Sequence, residues 1–336
     1  MMEKEMIFDT HTHLTSPEFE ADREQLLRQL AEDGVAAYTE IGVDLESSRE
    51  AARLAEASRE GTMSRLSEEE DNAFGAVFPV VPRFAAYPRV YAAVGFHPDH
   101  VTELTEEALA ELRQLAKRPG VVAIGEIGLD YYYIDRRSAE EKQKALEAKA
   151  KLPALSPEIC GKKEYKRLKR LAESVDFAYD PVPSVQQEAF VRQLRLAREL
   201  GMPINVHSRD AALDTYTLIE EEKGYQAGGI IHCFSYSAEM ALRFVKLGLC
   251  IGIGGVLTFP NGRKLRELAE AVPLENIVLE TDAPYMAPVP FRGQRNDPGK
   301  LRYVAPVLAE IKGISTEELI RVTRENAMRV YRIEKF

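Results

Sequence analysis

The chain of 336 residues has six histidines, and five of them fall in places suited to one shared site. His11 and His13 follow a short apolar run at 6–9 that reads as a buried strand. Alternate residues of a strand point the same way, so this pair can offer two imidazoles to a single cation. His97, His207 and His232 each come at or just after the end of a further strand-like run, and Glu126 and Asp282 hold equivalent places on two more. One such residue alone is as readily a hydrogen-bonded group at a strand end; five histidines of six argue for convergence. Neutral imidazoles and carboxylates suit zinc, manganese, nickel or cobalt, and oxygen-rich positions also admit magnesium. A set of this size can hold two divalent ions. Placed about 3.5–4 Å apart, such ions activate water and stabilise the leaving oxygen in phosphoester hydrolysis. Glu126, with two oxygens, is the natural bridge.

For these residues to meet, the strands that carry them must lie side by side. Strands are expected at 6–9, 35–41, 90–95, 121–125, 204–206, 229–231, 249–253 and 277–279. Helices are expected at 18–33, 45–58, 106–117, 184–200, 210–222, 237–247, 263–272, 303–312 and 315–331, with apolar residues such as Phe190, Leu194 and Ala197 at helical spacing. The alternation predicts an α/β fold with a parallel sheet, and eight strands point to a closed (β/α)8 TIM barrel whose strand C-termini converge. An open doubly wound sheet is the alternative, but the first strand lacks a Gly-rich phosphate turn.

Two segments, at about 61–87 and 135–183, interrupt the rhythm and read as insertions in one domain spanning 1–336. Setting their 76 residues aside leaves 260, close to the ~250 of a plain barrel. The first joins a helix to a strand and belongs at the bottom of the barrel; its apolar run at 74–81 reads as packing or a subunit contact. The second joins a strand to a helix and belongs at the catalytic top.

Hydrophobic content of 45% and charged content of 29% fit a soluble globular protein. The net charge of −10 provides no general field to draw nucleic acid or an anionic membrane, so a polyanionic substrate needs local cations or metal ions. Cys160, Cys233 and Cys250 are odd in number and widely spaced, which reads as reduced thiols in a cytoplasmic protein. The sequence has neither a signal-like start nor an apolar run near the roughly 20 residues of a membrane span. The second insertion runs against the acidic balance, with twelve basic and nine acidic residues. Its densest part, 162–170, has Tyr165, Leu168, Ala172 and Val175 as an apolar helical stripe. Two readings stay open: a helical lid touching the phosphates of a nucleic-acid strand, or a solvated charged face packed on the barrel rim.

The motifs taken together resemble the TatD family of metal-dependent deoxyribonucleases. They are the first strand with His11 and His13, Gly95-Phe96-His97-Pro98, and Ala123-Ile124-Gly125-Glu126-Ile127-Gly128-Leu129-Asp130-Tyr131-Tyr132. Val206-His207-Ser208-Arg209-Asp210-Ala211, His232-Cys233-Phe234-Ser235 and Leu279-Glu280-Thr281-Asp282-Ala283-Pro284-Tyr285 complete the set, in the family's order. The resemblance implies two divalent metal ions (Mg, Mn or Zn) and hydrolysis of DNA phosphodiesters, often from the 3′ end of a single strand, with RNA as a further substrate. It implies that His11, His13, Glu126 and Asp282 hold one metal and that Glu126, His207 and His232 hold the other, with Asp282 also the general base. His97 and Arg209 are expected to contact substrate phosphate. For His97 the competing role is to order the Pro98 turn; for Arg209 it is an ion pair with Asp210 or another carboxylate. Asp9 is expected to orient a ligand histidine or cap a turn, Cys233 to pack, and His100 to face solvent.

The departure from the family pattern is the 49-residue segment after Tyr132 and before the next barrel helix. The competing function is an amidohydrolase-type enzyme acting on a small ester, lactone or amide, or on an aminoacyl-tRNA ester. Many such relatives bridge their metals with a carboxylated lysine, whereas the fourth strand here has Glu126. A third reading, a non-catalytic metal-bound scaffold, sits poorly with a ligand set from which nothing is missing.

Overall fold

The computed structural model describes residues 6–60, 87–175 and 180–334. Eight parallel strands pair in sequence order: β1 (Ile7–Thr12), β2 (Val35–Ile41), β3 (Arg89–Val94), β4 (Val121–Asp130), β5 (Ile204–Arg209), β6 (Gly229–Ile231), β7 (Cys250–Ile253) and β8 (Ile277–Leu279). The sheet comes round on itself through the segment after β8. The Asp282 N–H donates to the His11 carbonyl and the His13 N–H to the Ala283 carbonyl, both at 2.9 Å. The Thr10 hydroxyl adds a bond to the Leu279 carbonyl at 3.1 Å. The architecture is the expected (β/α)8 barrel.

The helices are α1 (Arg23–Glu32), α2 (Leu45–Glu60), α3 (Glu106–Leu115), α4 (Ala139–Lys151), α5 (Lys162–Glu173), α6 (Pro183–Leu200), α7 (Ala212–Glu221), α8 (Ala238–Lys246), α9 (Arg263–Ala271), α10 (Leu301–Lys312) and α11 (Thr316–Tyr331). Local chemistry sets their ends. Thr105 and Ser315 side chains accept the Ala108 and Glu318 amides at 3.1 Å each, satisfying orphan donors of α3 and α11. Left-handed glycines, Gly201 and Gly313, close α6 and α10. Apolar helix faces and the outer faces of the strands form one core, with Phe190, Leu194, Ile204, Val206 and Ile251 among its members.

A second cluster draws Phe8, Tyr91, Ala93, Ala123, Ile230, Cys250 and Val278 together with Tyr331. Side chains from strands all around the sheet can touch only inside it, so this cluster fills the barrel beneath the top. The pleat then dictates what comes next: two residues beyond Ile230 and Val278 stand His232 and Glu280.

Three strands run further than the sequence pattern suggests. β1 continues through His11 to Thr12, β5 through His207 to Arg209, and β4 through Glu126 to Asp130. In β4 the reason is close approach. A Cβ on Gly125 would fall 2.5 Å from the Asn205 Cβ, and one on Gly128 1.9 Å from the His207 carbonyl oxygen. Glycine lowers strand propensity in a sequence reading, yet here it is what lets β4 and β5 pair up to Asp130↔Arg209. Near the start, the expected helix at 18–33 is a 3-10 turn (Pro17–Phe19) followed by α1.

The first insertion, apart from Tyr87, lies outside the described residues. The second holds α4, a helical turn at Pro157–Cys160 and α5, and α6 already begins at Pro183. In α5 Ala172 is buried and Tyr165 and Leu168 half-buried, as the stripe requires. No described helix is long and apolar enough to cross a membrane.

Candidate metal centre

Glu126 stands at the centre of the site, nearly fully buried, with its two oxygens facing two groups of ligand atoms. Oε2 lies 3.3 Å from His11 Nε2 and 3.8 Å from His13 Nε2. Asp282 Oδ1 joins that group at 3.8 Å from His11 Nε2 and 3.5 Å from His13 Nε2. Oε1 lies 2.8 Å from both His207 Nδ1 and His232 Nε2, which are 3.2 Å apart. All six residues expected as ligands are thus brought to one place, from β1, β4, β5 and the ends of β6 and β8.

Hydrogen bonds on the outer side of the rings decide which nitrogen faces inward. His11 Nδ1 meets the Asn205 side-chain oxygen at 3.2 Å, an orientation set by the Asn205 amide donating to Tyr331 Oη at 3.2 Å. His13 Nδ1 donates to the Ile41 carbonyl at 3.1 Å. His207 is turned the other way round, with Nε2 against Asp130 Oδ2 at 3.2 Å and Nδ1 inward. His232 Nδ1 lies 3.8 Å from Glu280 Oε1 and, among the described residues, makes no hydrogen bond; nor does Glu280 Oε2. The inward nitrogens of His11, His13 and His207 therefore carry lone pairs, pointed at carboxylate oxygens.

Lone pairs crowded at these distances need positive charge between them, either protons or a cation. In the metal-free protein protons supply it. Burial disfavours a charged His11, but the Glu126 carboxylate outweighs this and pushes its pKa up to about 9. Burial likewise opposes charge on His207, and its bonds to Asp130 and Glu126 carry it to about 10. His232, buried and beside the His11 charge, is pushed down to about 4. Burial works against an ionised Glu126, yet His232, His11 and His97 together hold it well below the usual carboxylate range. Among the described residues three groupings have ligand atoms all within 4.8 Å of one another: His11, His13 and Asp282; His97, Glu126 and His207; and His11, His232 and Glu280. The donor set fits divalent cations.

His97 orders the Pro98 turn and also faces the site. Its Nδ1–H donates to the Asp99 carboxylate, which holds that turn, while Nε2 points to Glu126 Oε1 at 3.8 Å. Arg209 is not paired with Asp210. Its guanidinium lies over the Tyr132 ring at 3.7 Å, 3.9 Å from Asp130 Oδ2, with the side chain 43% exposed. Asp9 does not hydrogen-bond an imidazole: Oδ1 accepts the amides of His11 at 3.1 Å and Thr281 at 3.0 Å and Oδ2 the Thr281 hydroxyl, tying β1 to the segment after β8. Cys233 packs, with Sγ 3.6 Å from Met286 Sδ. His100 is partly exposed at the rim, near Asp99 and Glu103. The groups sequence reasoning left without a role are Asn205, Asp130 and Glu280. Their signal was positional: Asn205 is two residues before His207 on an inward strand face, and Asp130 ends the strand paired with it. The whole cluster opens into a cleft of about 1000 Å³ whose lining includes Tyr133, Asp180, Arg209, Arg263, Lys264 and Tyr285.

A parallel eight-stranded barrel with imidazoles and carboxylates gathered at its strand C-termini defines a metal-dependent hydrolase. The chain belongs to the TatD family, whose model, described as TatD related DNase, matches residues 79–154 and 175–332. The unmatched stretch between those blocks lies within the second insertion. The chain is 31% identical over 329 residues to the metal-dependent hydrolase YabD of Bacillus subtilis, covering 98% of this chain and 100% of that one. It is 29% identical to the 3′-5′ ssDNA/RNA exonuclease TatD of Pantoea vagans, over 97% of this chain and 100% of the relative. Among solved structures it resembles YjjV, a TatD homologue of Escherichia coli, with a TM-score of 0.69 and 26% identity over 98% and 99% of the two chains.

Proposed function

We propose that this chain is a two-metal exonuclease that hydrolyses phosphodiester bonds from the 3′ end of single-stranded DNA, and also of RNA. The observation that carries the reading is the set of inward lone pairs of His11, His13 and His207, each held by an outer hydrogen bond, around the two oxygens of Glu126. The relative from Pantoea vagans, named for single-stranded DNA and RNA, points to the substrate.

His11, His13, Asp282 and Glu126 Oε2 would hold one divalent ion, and Glu126 Oε1, His207 and His232 the other. Two such ions supply Lewis acidity and a water acidic enough to attack phosphorus near neutral pH. The chain itself supplies the proton acceptor and the phosphate grip. Burial opposes charge on Asp282, and in the metal-free protein the hydrogen bond from a protonated His13 and the charges of the neighbouring histidines hold its pKa below the usual carboxylate range; it is the carboxylate placed to take the proton of the attacking water. Arg209, braced on Tyr132, offers a planar fork to phosphate oxygens at the cleft. His97, with Nδ1 donating to the Asp99 carboxylate, presents Nε2 to the same phosphate and, as an imidazolium, donates to it. We take 1–336 as one catalytic domain carrying two insertions, and the three free cysteines as fitting a reducing cytoplasm.

The test is metal analysis of the purified protein together with an assay on a 3′-labelled single strand. Stepwise release of mononucleotides, lost in Asp282→Asn, is expected. Failure of the metal-loaded parent to hydrolyse any phosphodiester, with turnover of a small ester, lactone or aminoacyl-tRNA instead, would sink the nuclease reading.

A further inference from the structure

The segment between β4 and α6 leaves the barrel at the cleft and comes back to it. Tyr133 near its start and Asp180 near its end both line the cleft, and the Asp180 amide donates to the Tyr133 carbonyl at 3.4 Å. Its root is pinned by the Arg137 guanidinium, bonded to Asp135 Oδ1 and Oδ2 at 2.8 and 2.9 Å and to Ser174 O at 3.2 Å. Arg136 adds a bond to the Tyr131 carbonyl at 2.8 Å. Between these anchors α4 and α5 pack on each other, burying Ala145, Ala148 and Ala172.

The charges on α5 are not evenly mixed. Arg167 pairs with Glu164 at 2.7 Å and Lys169 approaches Glu173 at 3.7 Å. Lys162, Lys163, Lys166 and Arg170 are exposed and have no carboxylate partner among the described residues. At 3.6 residues per turn these four occupy an arc of roughly 100°, on the side of the helix away from Tyr165, Leu168 and Ala172, over about 12 Å of its length. Four cations side by side repel one another, and a protein of net charge −10 has acidic residues enough to offset them. Their grouping on one exposed face, where the one carboxylate of the helix on that side, Glu173, is taken up by Lys169, on an arm rooted in the cleft, calls for a linear polyanion.

We infer that this face of α5 binds the phosphates of a single nucleic-acid strand whose end occupies the cleft. The inference rests on the nuclease reading and assigns the inserted arm to holding the strand away from the reacting bond. Its distinguishing consequence is a dependence on strand length: a dinucleotide cannot span cleft and arm, and a long strand can.

The test compares the metal-loaded parent with the combined variant Lys162→Gln, Lys163→Gln, Lys166→Gln and Arg170→Gln. Binding of a labelled long phosphorothioate oligothymidylate is followed by fluorescence anisotropy across a salt series, with oligouridylate as a parallel arm to separate DNA from RNA. Each phosphate contact on a single strand adds about 0.7 to the slope of log affinity against log salt. Four contacts make the parent steeper by about 2.8, an affinity loss of roughly 50-fold between 50 and 200 mM salt that the variant does not show. The kcat/KM for a dinucleotide is expected to stay the same, and Lys162→Arg, Lys163→Arg and Lys166→Arg together should keep the parent slope. Equal slopes in parent and Gln variant, or equal losses on dinucleotide and long strand, would overturn the inference. A parent that binds with the steeper slope yet cleaves no phosphodiester would instead sink the nuclease reading and leave the arm's role standing.

Discussion

Replacing Asp130 with asparagine tests how the imidazoles are aimed. The carboxylate divides its work: Oδ1 accepts the Tyr132 amide at 2.8 Å and Oδ2 receives His207 Nε2–H at 3.2 Å. Asparagine has nearly the same shape but only one acceptor oxygen. If that oxygen stays on the Tyr132 amide, the NH2 group faces His207 Nε2, and two donors meet. Relief comes by moving the imidazole proton to Nδ1, the nitrogen that faces Glu126 and would ligate the metal. Either outcome costs about 1–3 kcal/mol, the range for leaving a buried donor unmatched. Losses of about 10–100-fold in metal affinity are typical when the partner behind a ligand histidine is removed, and these correspond to about 1.4–2.7 kcal/mol. The two estimates agree, so the expected result is a loss of one to two decades in metal affinity.

Competition titrations against a chelating indicator would measure it, with a thermal melt of the metal-free protein as control. The loss should fall on one of two metal equivalents, because His11, His13 and Asp282 do not touch Asp130. Unchanged affinity, or equal weakening of both equivalents, would refute the reasoning that Asp130 acts by fixing the His207 tautomer.

Other outcomes follow from the same geometry. In the metal-free protein His11 and His207 titrate at about 9 and about 10, so at pH 7 both are protonated and must lose a proton before they can ligate. Metal uptake at pH 7 should release at least two protons, since His13 is also pushed up, with affinity rising as pH rises and levelling off above about 10. Calorimetry in buffers of different ionisation enthalpy reads this directly, and uptake without proton release would contradict it. Removing metal with a chelator should abolish hydrolysis and lower stability by about 2.7 kcal/mol for each metal site that was held at 100 times its Kd, measured by urea unfolding. Gly252→Ala would place a Cβ 2.1 Å from Glu280 Oε2. Glu280 is fully enclosed, so the carboxyl must shift, and destabilisation of about 1–3 kcal/mol is expected; a melt like the parent's would show that the carboxyl has room to move.

Much of this protein was legible in its sequence. Hydrophobic period and punctuation marked every strand and nearly every barrel helix among the described residues, because alternation of short β-branched runs with amphipathic segments leaves few other ways to bury apolar surface. The strand-end position of His11, His13, Glu126, His207, His232 and Asp282 followed from the same reading, since a closed barrel brings those ends together. Strand length was less legible. Gly125 and Gly128 look like breaks in isolation, and only the neighbouring β5 backbone, too close for a side chain, shows that they extend the strand. Arg209 had a carboxylate next to it in sequence and found Asp130 and Tyr132 in space instead.

What the tertiary structure alone decided is the direction of each imidazole. His11 takes its orientation from Asn205, 194 residues away, and His207 takes the opposite one from Asp130, across the β4–β5 pair. A sequence determines which residues can ligate, because that is chemistry carried by the side chain. Which nitrogen ligates depends on the acceptor behind the ring, and folding chooses that acceptor.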